Sequence, residues 1–281
     1  MNVENPGLNI TLENSGDLAF FFIGVGSAFS KQNFQNNVII VKGKDHLMID
    51  CGNVCPYAMH TYNIPLTAVR NILITHSHAD HIGGLEEMAL LGRYTTKIKP
   101  TMIITDEYRD ILWNQSLKGG CSHGETSDGA YMKFSDYFVQ QRPDLVSNEP
   151  RPLYHTKVGS IDVKIYRTKH IPDSAGSWKN SFYSVGVLID DRILFPSDTR
   201  FDKDLLDWML ASYPIEYIFH DCQFYPGGVH APYTDLCTLP ANVKKRMFLC
   251  HYGDNYTKYT PENDGFAGFT QRGVFYNFGK K

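Results

Sequence analysis

A chain of 281 residues with 42% hydrophobic content is long enough to bury a large core, as one domain or at most two small ones. Its net charge of −3 supplies no general field for nucleic acid or an anionic membrane. The six cysteines, at positions 51, 55, 121, 222, 237 and 250, form no Cys-x-x-Cys pair and no disulfide framework, so they read as reduced, mostly buried small hydrophobes.

The first third is strand-rich. The N-terminus lacks a basic n-region, and the apolar stretch 18–25 is too short to span a bilayer, so it reads as a strand and a cytoplasmic protein is expected. The Gly26-Ser27 turn, a strand over 36–41, a hairpin turn over 42–45 and a strand over 46–50 follow. Residues 85–91 have the spacing of a short helix, 97–104 return to strand, and 105–117 read as an amphipathic helix with Thr105 as N-cap. The polar, glycine-rich segment 119–129 reads as a loop. Further strands are expected over 158–167, 182–189, 192–195 and 217–219. Residues 265–278, with aromatics at Phe266, Phe269, Phe275, Tyr276 and Phe278, read as an edge strand or dimer contact. No repeat, low-complexity tract or clear linker interrupts this order.

The densest chemistry lies in Thr75-His76-Ser77-His78-Ala79-Asp80-His81, directly after the apolar run Asn71-Ile72-Leu73-Ile74. Alternate residues of an extended segment point the same way, so His76 and His78 can face one point. Asp80 and His81 follow as the chain leaves the strand, and Gly83-Gly84 permits a sharp turn into the next helix. Imidazole nitrogens and carboxylate oxygens suit zinc, manganese, iron and similar divalent ions. Three histidines in six positions, out of 11 in the chain, mark a metal site rather than a solvated strand end.

This segment resembles the His-x-His-x-Asp-His signature of the metallo-β-lactamase superfamily, and the resemblance extends over most of the chain. Leu47-Met48-Ile49-Asp50-Cys51-Gly52 looks like its Asp-x-Gly landmark. Thr168-Lys169-His170-Ile171-Pro172, Phe195-Pro196-Ser197-Asp198-Thr199 and Phe248-Leu249-Cys250-His251-Tyr252 follow in the superfamily's order. The resemblance implies an α/β fold, a four-layer αββα sandwich, occupying residues 1–281 as one domain with a lid-like insertion at about 105–155. It also implies two divalent ions, zinc before manganese or iron. The first would take His76, His78 and His170, and the second Asp80, His81 and His251, with Asp198 bridging. Such a pair activates a water and stabilises charge on the transferred group, which is hydrolytic chemistry. Asp80 would both ligate and orient the nucleophile.

His220-Asp221-Cys222-Gln223 and, nine residues on from Asp221, His230-Ala231-Pro232-Tyr233 resemble the proton relay of the ribonuclease Z-like phosphodiesterases. Asp221 stands where that branch usually has Glu, and His230 matches the relay histidine, able to protonate a leaving alkoxide. His220 reads as a structural partner at that strand end. The branch members that mature tRNA carry a long Gly/Pro-rich arm between the third ligand histidine and the bridging aspartate. Here His170 and Asp198 are only 28 residues apart, and 180–195 is needed for strands. The chain therefore looks most like compact cyclic mononucleotide phosphodiesterases such as the anti-Pycsar enzymes, with a small nucleotide substrate, no stable nucleic-acid partner, no membrane, and a homodimer expected by resemblance. The alternatives are tRNA 3′ endonuclease activity and a thioester or lactone hydrolase on the same metal core. Tyr108, Trp113, Tyr131, Phe134, Tyr137 and Phe138 lie in the insertion. Most of them read as core of a helical lid, with base stacking as the other reading. His123 reads as a solvated loop residue, and the 174–177 loop offers small groups near the first ion.

Overall fold

The strands Ala19–Gly24, Asn37–Lys42 and Asp45–Ile49 are buried on both faces, which a sheet tolerates only when both faces are covered. The computed structural model, which describes residues 1–7, 10–123 and 126–280, shows the covering layers. Among the described residues two eight-stranded sheets form. The first runs Asn2–Glu4, Phe275–Asn277, Ala19–Gly24, Asn37–Lys42, Asp45–Ile49, Asn71–Leu73, Thr101–Ile103, Val139–Gln141. The second runs Asp144–Ser147, Leu153–Val158, Ile161–Arg167, Val185–Ile189, Ile193–Ser197, Tyr217–Asp221, Met247–Cys250, Gly268–Phe269.

Side-chain alternation sorts three cores. Phe20, Phe22, Val38, Ile40, Leu47 and Ile49 point between the sheets, meeting Val163, Ile165, Val187, Phe195, Phe219 and Phe248. Phe219 stacks on Phe20 (5.8 Å) and Phe248 (5.4 Å). The alternate residues Phe21, Ile23, Ile39, Val41 and Met48 face outward, onto the helices Cys55–Thr61, Leu85–Leu91 and Asp106–Leu112. Leu205, Leu206 and Met209 of the helix Lys203–Ser212 cover the outer face of the second sheet, against Leu188, Leu194 and Ile218. Helix, sheet, sheet, helix is the αββα order.

Strand direction then places the site. From Asp45–Ile49 to Val139–Gln141 the first sheet is parallel, and so is the second from Ile193–Ser197 to Gly268–Phe269. The carboxyl ends of these parallel strands carry Asp50, Thr75-His76, Asp198, Asp221 and His251. This is the position at which open α/β sheets receive ligands.

Several expectations shift locally. Asp80 and His81 lie in a helical turn, Ala79–Ile82, that starts before Gly83. Only Thr101–Ile103 of 97–104 is strand, because Lys97 sits in the left-handed region (φ 58°) after a wide turn over Gly92–Thr96. Thr105 does cap a helix, its hydroxyl accepting from Tyr108 N (3.2 Å), but that helix yields to a π-helical turn at Trp113–Leu117. The 119–129 segment begins in a helical turn, Lys118–Cys121, and contains a hairpin of Thr126–Ser127 with Ala130–Tyr131; residues 124 and 125 lie outside the described residues. The 265–278 segment splits: Gly268–Phe269 is an edge strand of the second sheet, as expected, whereas Phe275–Asn277 is bracketed by Asn2–Glu4 and Ala19–Gly24, and Tyr276 and Phe278 fill the core between the sheets. Tyr108, Phe134, Tyr137 and Phe138 are buried, so the aromatics of the 105–155 region are mostly core, in line with the core reading; Tyr131 stays exposed. No helix among the described residues is long and apolar enough to cross a membrane. The six cysteines form no disulfide among the described residues, and five of them are buried.

Candidate metal centre

Three non-glycine residues at these strand ends adopt left-handed backbone: Asp50 (φ 64°), Ser197 (φ 55°) and His251 (φ 57°). Each such turn costs roughly 1–2 kcal/mol for an L-residue, and all three aim polar groups at one point. Asp50 accepts from Thr75 N (2.7 Å) and Thr75 Oγ1 (2.7 Å), and its Oδ2 meets His81 Nδ1 at 2.7 Å. Ser197 Oγ donates to Thr75 Oγ1 (3.1 Å), tying the two sheets together beneath Asp198. Gly52 completes the Asp-x-Gly landmark for a steric reason. A Cβ there would collide with the Asp80 carbonyl, so only glycine lets the metal loop close.

The ligand candidates converge as two groups sharing Asp198. His76, His78, His170 and Asp198 form one; Asp80, His81, Asp198 and His251 form the other, and within each the donor atoms lie within 4.8 Å of one another. In the first, His78 Nδ1 lies 2.9 Å from His76 Nε2 and 3.3 Å from His170 Nε2. In the second, Asp80 Oδ2 is 3.3 Å from both His81 Nε2 and His251 Nε2. Asp198 Oδ2 stands 3.7 and 3.8 Å from His76 and His170, and 3.2 and 3.3 Å from His81 and His251.

The chemistry of this donor set fits a pair of divalent cations. Both carboxylate oxygens of Asp198 and Nε2 of His81 are buried and make no hydrogen bond of acceptable geometry. Buried polar atoms without partners are rare in folded proteins and ask for an explanation such as a bound ion. The outward ring nitrogens are meanwhile fixed: His81 by Asp50, His170 Nδ1 by the Val229 carbonyl (2.8 Å), and His76 Nδ1 beside Thr75 Oγ1 (3.1 Å). Such partners set the tautomer that leaves the other nitrogen free to ligate.

Electrostatics divides the groups. Burial pushes the pKa of His76 well below its ordinary value and that of His170 down to about 4, and also lowers His78, so these rings are neutral and ready to ligate. Burial opposes the charge on His81 too, but the carboxylates of Asp198, Asp80 and Asp50 outweigh it and raise its pKa. Burial alone would lift Asp80 and Asp198, yet the neighbouring imidazoles hold both well below the carboxylate range.

Asp221 and His230 are brought together beside this centre. His230 Nδ1 lies 2.8 Å from Asp221 Oδ2 and 3.8 Å from Asp198 Oδ2. The shorter aspartate thus reaches the histidine without help. His230 is also within ligating reach of Asp198, Asp221 and His251, but its Nδ1 is already engaged by Asp221. His220 is buried, its Nδ1 on the Asp221 carbonyl (2.9 Å), a strand-end support as expected. The 174–177 loop contributes the Ala175 carbonyl to Arg200 Nη1 (2.6 Å), and His123 rests against Tyr131.

Other contributors were not legible in advance. A cavity of about 430 Å³ opens beside His76, His78 and His170, walled by Ile111, Gln115, Phe182 and Tyr183. The expected strand over 182–189 starts only at Val185, which frees Phe182 and Tyr183 for this wall. The aromatic pair just upstream of that apolar strand was the available signal. Val229 has none, since its role is played by a backbone carbonyl.

A family model described as Anti-Pycsar protein Apyc1 matches residues 18–276. The chain is 38% identical over 239 residues to the anti-Pycsar protein Apyc1 of Bacillus phage BSP38, covering 83% of this chain and 88% of that one. It is 36% identical over 238 residues to the anti-Pycsar protein Apyc1 of Paenibacillus harenae, covering 84% and 90%. Among solved structures it superposes on the metallo-β-lactamase fold protein YhfI from Bacillus subtilis with a TM-score of 0.68 at 13% identity, over 93% of this chain and 99% of that one. A shared fold follows from the superposition, and family membership from the sequence matches: the chain has the metallo-β-lactamase fold and belongs to the anti-Pycsar protein Apyc1 family.

Proposed function

We propose that this protein is a dimetal phosphodiesterase that opens a cyclic mononucleotide to the linear nucleotide. The observation carrying this reading is Asp198, buried between the two ligand groups with neither carboxylate oxygen hydrogen-bonded. His76, His78 and His170 would hold one cation and Asp80, His81 and His251 the other, with Asp198 shared. Bound there, two divalent cations supply Lewis acidity to an attacking water and to the phosphoryl oxygens.

The chain's own groups do the rest. Asp80, fixed by His81 and His251, orients the water on the second side. The water oxygen bonds to phosphorus and yields a proton to solvent as one P–O ester bond breaks. His230 protonates the leaving sugar oxygen and is reprotonated from solvent. Burial opposes its charged form, but Asp198 and the hydrogen bond that His230 Nδ1 donates to Asp221 raise its pKa above the ordinary value, which favours the protonated acid. A small substrate suits the chain: the short interval between His170 and Asp198 contains the strands Val185–Ile189 and Ile193–Ser197 and no long tRNA-gripping arm.

The test is a chromatographic assay of the metal-loaded protein on a panel of 3′,5′-cyclic nucleotides, with precursor tRNA and a lactone run in parallel. Linear nucleotide with the other two intact supports the reading. Cleaved tRNA or opened lactone with untouched cyclic nucleotides overturns it. Elemental analysis of the same preparation identifies the metal among zinc, manganese and iron.

A further inference from the structure

We propose that the cavity beside His76, His78 and His170 is the nucleobase subsite of the phosphodiesterase read above, with Phe182 as its stacking face and the Gln115 amide reading the base edge. The cavity has the volume of a small-molecule pocket, about 430 Å³, and three metal-ligand candidates form one of its walls. A ligand whose phosphate sits at the metal centre therefore extends into it.

Two aromatic rings face this space, and they differ in availability. Tyr183 is already used. Its ring stacks on Tyr108 at 4.6 Å with an interplanar angle of 2°, the Arg167 guanidinium lies over it at 4.6 Å, and its hydroxyl pairs with Thr105 Oγ1 at 2.9 Å. It is a fixed wall. Phe182 is 68% exposed and stacks on no ring among the described residues. Its backbone is nonetheless pinned: its N–H donates to the Ile171 carbonyl (2.7 Å), one residue after His170, and its carbonyl accepts from Arg167 Nη2 (3.1 Å). A large apolar ring on an immobilised backbone, with free faces beside the metal centre, is preorganised for a flat partner. Gln115, on the π-helical turn of Trp113–Leu117, is exposed and makes no hydrogen bond among the described residues. Its amide both donates and accepts, which matches the edge of a nucleobase.

The experiment compares 3′,5′-cyclic nucleotides with the abasic ribose 3′,5′-cyclic phosphate. For Phe182→Ala, KM for the nucleotides should rise about tenfold, the scale expected for one base–aromatic stack. Its kcat, and both constants on the abasic analogue, should be unchanged. Phe182→Trp should restore the wild-type KM. Gln115→Ala should shift the relative KM values among the four bases by roughly threefold, the weight of a single neutral hydrogen bond. Loss of activity by Phe182→Ala on both substrate types alike, or an unchanged nucleotide KM, overturns the subsite. Wild-type protein that turns over neither substrate overturns the phosphodiesterase reading itself, a separate outcome.

Discussion

The two sides of the metal centre share Asp198 and little else. The first side is built from imidazoles that burial keeps neutral, and it opens on a cavity. Its opposite number is sealed: Asp80, His81 and His251 are all buried, and the carboxylates of Asp80 and Asp50 bear on one imidazole. One side opens on a cavity, whereas the other concentrates charge. The two ligand groups are thus unlike, and the division between them can be taken apart residue by residue.

The shared residue should show the largest effect. Asp198→Ala should strip metal from both sides and reduce hydrolysis on the order of 10³-fold or more, the upper range for removing a central electrostatic stabiliser. Elemental analysis beside the activity assay checks it, and a variant that keeps its full metal content would break the bridging assignment. His230→Ala should slow turnover about 10²-fold, as for a lost general acid, with metal content retained. Loss of metal there would make His230 a ligand or scaffold instead. Asp50→Asn probes the sealed side most directly, through His81. It should weaken metal affinity at that side by roughly 10–100-fold, the usual cost of losing a residue that orients a ligand histidine, and affect the open side less, since Asp50 reaches His76 only through Thr75; a competition titration separates the two. A uniform loss at both sides would erase the contrast.

The smallest effect concerns pH. Because the pKa of His230 is raised, its protonated form persists above the ordinary 6.5, so kcat should fall only on the alkaline side of that value. Asp221→Asn removes one raising influence and should move that limb toward lower pH. A limb that stays in place would detach Asp221 from the relay.

What the sequence disclosed depended on how local each signal was. His76, His78, Asp80 and His81 were readable because strand and turn geometry act over six residues. His170, Asp198 and His251 each look like ordinary strand-end residues, and only their order along the chain singled them out. Phe182 escaped notice because it sat at the start of an expected strand; whether that strand begins at Phe182 or Val185 depends on contacts with Ile171 and Arg167. Within 265–278 the edge reading holds for Gly268–Phe269 and fails for Phe275–Asn277, whose partner Asn2–Glu4 lies at the other end of the chain. A pairing across that separation leaves no periodic trace.

The donors at this centre come from both halves of the sandwich. His76, His78, Asp80 and His81 follow a strand of the first sheet, while His170, Asp198 and His251 follow strands of the second. A cation held by either group therefore rivets the halves to each other, and its binding energy counts toward keeping the chain folded. At a free metal concentration of about 100 times Kd that linkage is worth about 2.7 kcal/mol per site. Starved of metal, the same chain should open more often and be degraded sooner, so the cell's trace-element supply would set how much of this protein survives as well as how much of it works.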